Sequence, residues 1–421
     1  MGRSEREEME VSRLRLGLAA FVSEAPKRAV RGKRKVQKYV EELSNWLNEV
    51  AFFVHDPGRG LDLVLAFFES DNELLHGCVD HEDLLKKVFT ENAFGLLCDY
   101  ARRLPETPDD VPRRVLDGIL SGREGIRDQL AGLASDWLEP RVIEDMHRRA
   151  LEKAEAATNE KRRLAWLDIA AALAREMLDP ERFLATLEKM YGEIPSYAGV
   201  MVAEIHVRLG EFDMAARWLL REPPGDEDLE TWDRLGDEVL DGLEDEDRAR
   251  RFFLQFFRMR RTVTLLDDVP EFFPDLTEEA FVRQEASEIM RDLRFSTYDA
   301  TFLVDAGHPE LADRYVVARR NQLAGQDPAL LEELADLLAY NRGGLGATLL
   351  YRQLLEELLE RNRPQEVEQG LSFVNMIDLL DERVDDWSGV ADTDTYVRDL
   401  QARHADKVSF WVRAGFTADE P

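Results

Sequence analysis

Apolar residues recur at helical spacing along nearly the whole chain, from about residue 36 to 415. That period admits few folds other than packed amphipathic helices. Leu330, Leu331, Leu334, Leu337 and Leu338 fall on one face of such a helix. Asp327-Pro328 opens it, an acceptor side chain followed by a proline whose missing N–H costs nothing at the first helical position. Asp179-Pro180 repeats the device ahead of Phe183, Leu184, Leu187 and Met190. Runs of alternating β-branched residues between turn pairs are missing, so strand content is expected to be close to none.

A hairpin pattern repeats within the helices. The stretch from Ala203 to Leu209 ends at Gly210, and a second helix carrying Ala215, Ala216, Trp218 and Leu219 begins at Phe212. Glycine closes a helix in the left-handed conformation, and small residues let two antiparallel helices approach closely. Looser copies run from Leu240 to Phe253 and from Phe302 to Tyr315, the latter turning at Gly307. Ala215 and Ala249 lie 34 residues apart, and the 63 residues from Ala249 to Ala312 are divided by Ala280 into 31 and 32. Spacing near 34 is the tetratricopeptide period, although most of that repeat's aromatic and proline positions are missing. The expected fold is therefore all-α, an elongated or curved array of antiparallel helical hairpins of TPR-like or HEAT-like type. Residues 1–26 read as an arm whose order the sequence leaves open. Residues 27–178 read as a helical subdomain with helices around 40–55, 61–76, 82–103, 111–120 and 123–136, residues 179–415 as the hairpin array with capping helices, and 416–421 as a tail.

Charge limits the partners. The net charge is −31, from 86 acidic and 55 basic residues, which opposes general binding to phosphate backbones or anionic membranes. Ten lysines against 45 arginines suit a GC-rich genome, and the acidity suits solubility in a salty cytoplasm. No apolar run approaches membrane-spanning length, and the N-terminus lacks a secretory pattern, so a cytoplasmic location is expected. Cys78 and Cys98 sit among apolar residues and read as buried, reduced thiols. Two segments depart from the average. Residues 27–38 hold seven basic residues and no acid, whereas Asp226 to Asp247 hold twelve acids against Arg234 alone.

Two C-terminal stretches resemble hallmarks of a family of uncharacterised bacterial all-helical proteins. One is Leu345-Gly346-Ala347-Thr348-Leu349-Leu350-Tyr351-Arg352 with Leu354 and Leu355. The other is Tyr396, Leu400, Arg403, His404, Lys407, Phe410 and Trp411 at helical spacing. The family's layout, with a basic opening helix and a Leu-Gly hairpin carrying an Ala-x-x-Trp-Leu helix, is similar to residues 30–413. Some members are associated with SWIM zinc fingers, but this chain lacks the cysteine–histidine set of such a finger. The resemblance implies a fold and no activity. Ala405-Asp406 stands where the family more often carries a basic or glycine pair.

Candidate chemistry is sparse. On one continuous helix, positions 400, 404, 407 and 411 share a face, which would bring His404 and Lys407 beside Trp411, with Arg403 adjacent, as an anion pocket, a docking spot or a dipole-matched cap. Gly343-Gly344-Leu345-Gly346 before Tyr351-Arg352 invites a phosphate, yet no P-loop signature surrounds it, and a tight interhelical turn is the simpler reading. His76, Cys78 and His81 match no metal-ligand spacing, and the acidic run lacks the order of a calcium loop. No cofactor or metal is expected. The favoured expectation is a non-enzymatic scaffold that binds a peptide or helix of an unidentified protein partner. It would use aromatics and arginines of the middle repeats, with Arg217, Trp218, Trp232 and Tyr315 as candidates, and Arg352, Arg403, His404, Lys407 and Trp411 at the C-terminal end. A nucleic-acid accessory role through residues 27–38 is the alternative, and an enzyme of unknown type a third. Oligomeric state is open.

Overall fold

A computed structural model of the chain describes residues 3–24, 30, 32–79, 83–122, 125–195, 197–221, 228–361 and 363–416. Among them there is no strand, and the chain is all-α. It forms two compact units, residues 1–242 and 243–421.

The first unit contains α1 (Arg3–Glu24), α2 (Lys33–Phe53), α3 (Pro57–Glu69), α4 (Phe94–Ala101) and α5 (Val111–Ile119). It continues with α6 (Pro140–Glu155), α7 (Glu160–Glu176), α8 (Pro180–Tyr191), α9 (Ala198–Arg208), α10 (Phe212–Leu219) and α11 (Leu229–Gly242). The N-terminal arm is thus mostly helix. Val11, Leu14 and Leu18 recur at i, i+3 and i+7 and are buried, enough to dock an otherwise charged segment. Its core stacks Trp46 on Phe67 and Phe67 on Phe89. α7 packs against both α6 and α8, so the subdomain boundary expected at 178 falls inside a continuous stack, and the division lies at Gly242. There a Cβ would strike the Phe212 ring at 2.4 Å, which is why α11 closes on α10 at a glycine.

The second unit contains α12 (Glu246–Met259), α13 (Glu278–Arg291), α14 (Thr297–Asp305), α15 (Pro309–Ala318), α16 (Pro328–Tyr340) and α17 (Leu345–Arg361). It ends with α18 (Val367–Asp381), α19 (Thr393–Arg403) and α20 (Val408–Arg413). Its core is aromatic: Phe253 stacks on Phe272, and Phe257 meets Phe281 and Phe302 edge-on.

Two of the expected hairpins are present with the same turn chemistry. Gly210 has φ 73° and Gly307 φ 83°. The Gly210 N–H donates to Val207 O and the Glu211 N–H to His206 O; the Gly307 and His308 N–H groups do the same to Val304 and Leu303. Each glycine therefore closes its helix in a Schellman motif. Ala215 and Ala312 are fully buried where the second helix meets the first. The copy drawn from Leu240 to Phe253 is different, because the unit boundary runs between its two helices. Ala280 likewise sits in the first turn of α13, donating its N–H to the capping Thr277 hydroxyl.

Candidate functional site

The residues singled out in the sequence are divided between the two units, and several of them are buried. Arg217 is exposed on α10, and Trp218 is half-buried with the Arg221 guanidinium 4.5 Å over its ring. Trp232 is 1% exposed and donates Nε1–H to Leu219 O at 3.2 Å, so it is core and not a docking surface. Tyr315, in the second unit, is 0% exposed; its hydroxyl donates to Arg294 O and accepts the Ser296 N–H, each at 2.9 Å. Burial removes both aromatic rings from any partner.

The C-terminal cluster also changes. The chain does not run as one helix through 400–411: α19 ends at Arg403, residues 404–406 turn, and α20 begins at Val408. The Trp411 Nε1–H donates to His404 O at 2.9 Å, a main-chain and not an imidazole contact, and Trp411 is 5% exposed. Lys407 pairs with Asp406 at 3.0 Å, and Arg403 with Glu356 on α17 at 3.1 Å. These residues close the end of the second unit by holding α19 and α20 in place. Arg352 is 4% exposed and lies between the Tyr396 and Trp387 rings at 4.3 and 4.7 Å. It donates to Ala391 O at 2.7 Å and to Thr393 Oγ1 at 3.3 Å, tying α17 to the segment that leads into α19.

The glycine turn before α17 already holds an anion. The N–H groups of Gly344 and Gly346 donate to Asp313 Oδ1 at 3.0 and 2.9 Å, so a carboxylate of α15 occupies the place a phosphate would take. Burial pushes the Asp313 carboxyl up, and hydrogen bonds from Gly346, Gly344 and Ala347 pull it back. Cys98 is buried and Cys78 half-buried. His81 lies outside the described residues, and among those described no group of three or more His, Cys, Asp or Glu residues is placed to hold a metal ion. Of the basic segment, Lys27, Arg28 and Arg31 lie outside the described residues, whereas Lys33, Arg34, Lys35 and Lys38 are exposed on the first turns of α2. In the acidic run, Asp226 and Glu227 also lie outside; Asp245 caps α12 by accepting the Arg248 N–H at 2.8 Å. Among the described residues no helix is long and apolar enough to cross a membrane.

An open groove of about 790 Å³ in the first unit was not anticipated. It is lined by Arg6, Glu7 and Glu10 of α1, by Ala51, Phe52 and Phe53 at the end of α2, and by His55. Phe52 is 71% and Phe53 37% exposed, and their rings pack edge to face with centroids 4.8 Å apart. Glu7 Oε1 accepts the N–H groups of His55 and Asp56, each at 2.7 Å, which fixes α1 against the entry to α3. The Asp56 N–H holds the Glu7 carboxyl below its ordinary range; burial opposes it, and the His55 N–H adds to the lowering. On the adjacent wall, Arg13 bridges Glu10 at 2.7 Å and Glu49 at 2.8 Å with its guanidinium 5.5 Å over the Phe53 ring. The signal for this site was present in the phase of α2. Its buried stripe runs Val36, Tyr39, Leu43, Trp46, Leu47 and Val50; Phe53 continues it at the edge, and Phe52 falls on the opposite face.

A family model, "Family of unknown function (DUF6880)", matches residues 21–413. The chain belongs to that family. Within this DUF6880 chain, Phe52, Phe53 and His55 lie inside the matched region, and Arg6, Glu7 and Glu10 precede it. No curated protein matches the chain. A solved structure described as "Circular tandem repeat protein with novel repeat topology and enhanced subunit contact surfaces" is 18% identical, covering 97% of this chain and 98% of that one, with a TM-score of 0.21. At that score the likeness carries no argument.

Proposed function

We propose that this DUF6880 chain is a non-enzymatic interaction protein of the cytoplasm, built from TPR-like helical hairpins, that docks a segment of a partner in the groove between α1 and the end of α2. The observation that supports this reading is the Phe52–Phe53 pair. Two phenylalanines side by side in an open groove, rimmed by charged residues, give it the apolar centre and polar rim of a recognition site. The buried charged groups support it by their employment in structure. Arg127 and Asp71 pair inside the first unit; Arg258 and Arg261 bind Glu285 and Asp299; Arg319 donates to the last carbonyls of α13. These groups hold helices together.

Replacing Phe52 by a photo-crosslinking benzoyl-phenylalanine in cells tests the reading. One discrete protein adduct is expected from position 52, and none from the same residue placed at Tyr340, which is 88% exposed. Adducts of equal pattern from both positions would reject the groove as a docking site. A second reading has one observation in its favour. Lys33, Arg34 and Lys35 occupy the first turn of α2, where the helix dipole disfavours cations, so an anion would relieve them. A shift of labelled RNA or DNA that disappears when these three become glutamine is the result that would promote a nucleic-acid role.

A further inference from the structure

We infer that the segment received by this groove is cationic and apolar: a peptide that sets a bulky apolar side chain against Phe52 and Phe53 and places lysine or arginine along the carboxylate rim. This rests on the docking reading and adds the chemistry of the occupant.

Three observations converge on it. The apolar floor opens to solvent chiefly at Phe52, 71% exposed, while Phe53 beside it is 37% exposed. The rim then shows what it accepts, because Arg13 already lies over the Phe53 ring and between the carboxylates of Glu10 and Glu49. A guanidinium bound by an aromatic face and two carboxylates is the internal pattern for an incoming cation, and Phe52 offers a second ring beside it. Finally, the chain's charge of −31 draws cationic segments toward the molecule and repels anionic ones. The same charge opposes a second copy of this chain as the occupant. Arg6 is the opposing feature. It lines the groove, and no ion pair joins it to any described residue, so it repels the proposed occupant locally. That makes it a diagnostic position.

The test uses the full chain and two fluorescein-labelled amphipathic peptides of leucine and one phenylalanine, identical except that lysine in one is glutamate in the other. Binding is read by fluorescence anisotropy at low and high salt. The lysine peptide is expected to bind at least about tenfold tighter than its glutamate twin and to weaken as salt rises. The double variant Phe52→Ser/Phe53→Ser should lose about tenfold or more, and Arg6→Glu should tighten binding severalfold. Phe52 is 71% exposed, so Phe52→Ser alone is expected to weaken binding with the melting temperature unchanged, whereas Phe53, at 37% and beneath the Arg13 guanidinium, also contributes to packing. If the lysine peptide binds the double variant as well as the native chain, its attraction is diffuse and the inference falls. If the glutamate peptide binds better and still depends on Phe52 and Phe53, the docking reading stands and the cationic occupant is wrong. If neither peptide depends on the two phenylalanines and no crosslink forms at position 52, both readings fail together.

Discussion

At Arg352 a buried guanidinium faces two aromatic rings instead of a carboxylate. Burial pulls its pKa down, and the Tyr396 and Trp387 rings, with Ala391 O and Thr393 Oγ1, supply what holds the charge. A lysine keeps the charge but has no planar fork to lie between rings and donate twice. Arg352→Lys is therefore expected to destabilise the second unit by about 2–3 kcal/mol in urea unfolding. A smaller loss than that of an exposed arginine would show that the rings and carbonyls do not hold it. His147 on α6 is buried with no partner for Nε2, and burial first, then the charge of Arg182, lowers its pKa below 6.5, with Asp179 and Glu144 opposing. The unfolded chain then binds the proton more readily than the folded one. This contribution to stability is complete above pH 6.5 and is lost as pH falls through the window beneath it. His147→Leu should flatten the pH dependence of the melting temperature in that window; an unchanged slope would assign it to other groups.

Among elements, the turns differ in what they demand of glycine. At Gly307 a Cβ meets nothing within 4 Å, so the demand is the positive φ of 83° alone, and Gly307→Ala should cost about 1 kcal/mol. At Gly346 a Cβ would lie 2.8 Å from Asp313 Oδ1 and 2.9 Å from the Asp313 carbonyl oxygen, forcing α15 and α17 apart. Gly346→Ala should cost about 2 kcal/mol or more and also weaken the carboxylate cap on α17. Denaturation midpoints of the two variants decide it, and equal losses would contradict the close approach. This contrast was only half legible beforehand. The glycines were visible as a turn, but the anion they hold came from Asp313, some thirty residues earlier in the chain.

For the whole molecule, 86 acids against 55 bases leave 31 negative charges uncompensated. Exposed ion pairs such as Arg182–Glu144 and Arg291–Glu288 contribute roughly 0–1 kcal/mol each, so screening them loses little, while screening the unmatched charge relieves repulsion through the fold. Added sodium chloride is accordingly expected to raise the melting temperature, by about 2–5 °C between low and moderate salt. A fall would mean that the pairs outweigh the repulsion.

The all-helical character was readable from residues within a turn or two of one another. Asp179 and Asp327 cap the helices they precede, Gly210 and Gly307 close the ones they follow, and the apolar period marks the buried stripe. Each depends on hydrogen bonds and side chains spaced five residues apart or less, so local sequence suffices. Tertiary structure decided the rest: that Trp232, Tyr315 and Trp411 are core, that α19 stops at Arg403, and that Phe52 remains uncovered. Whether an apolar side chain is buried depends on which distant helix packs over it. A break such as that at residue 404 depends on Trp411 reaching back to His404 O, a contact that helical spacing alone does not encode.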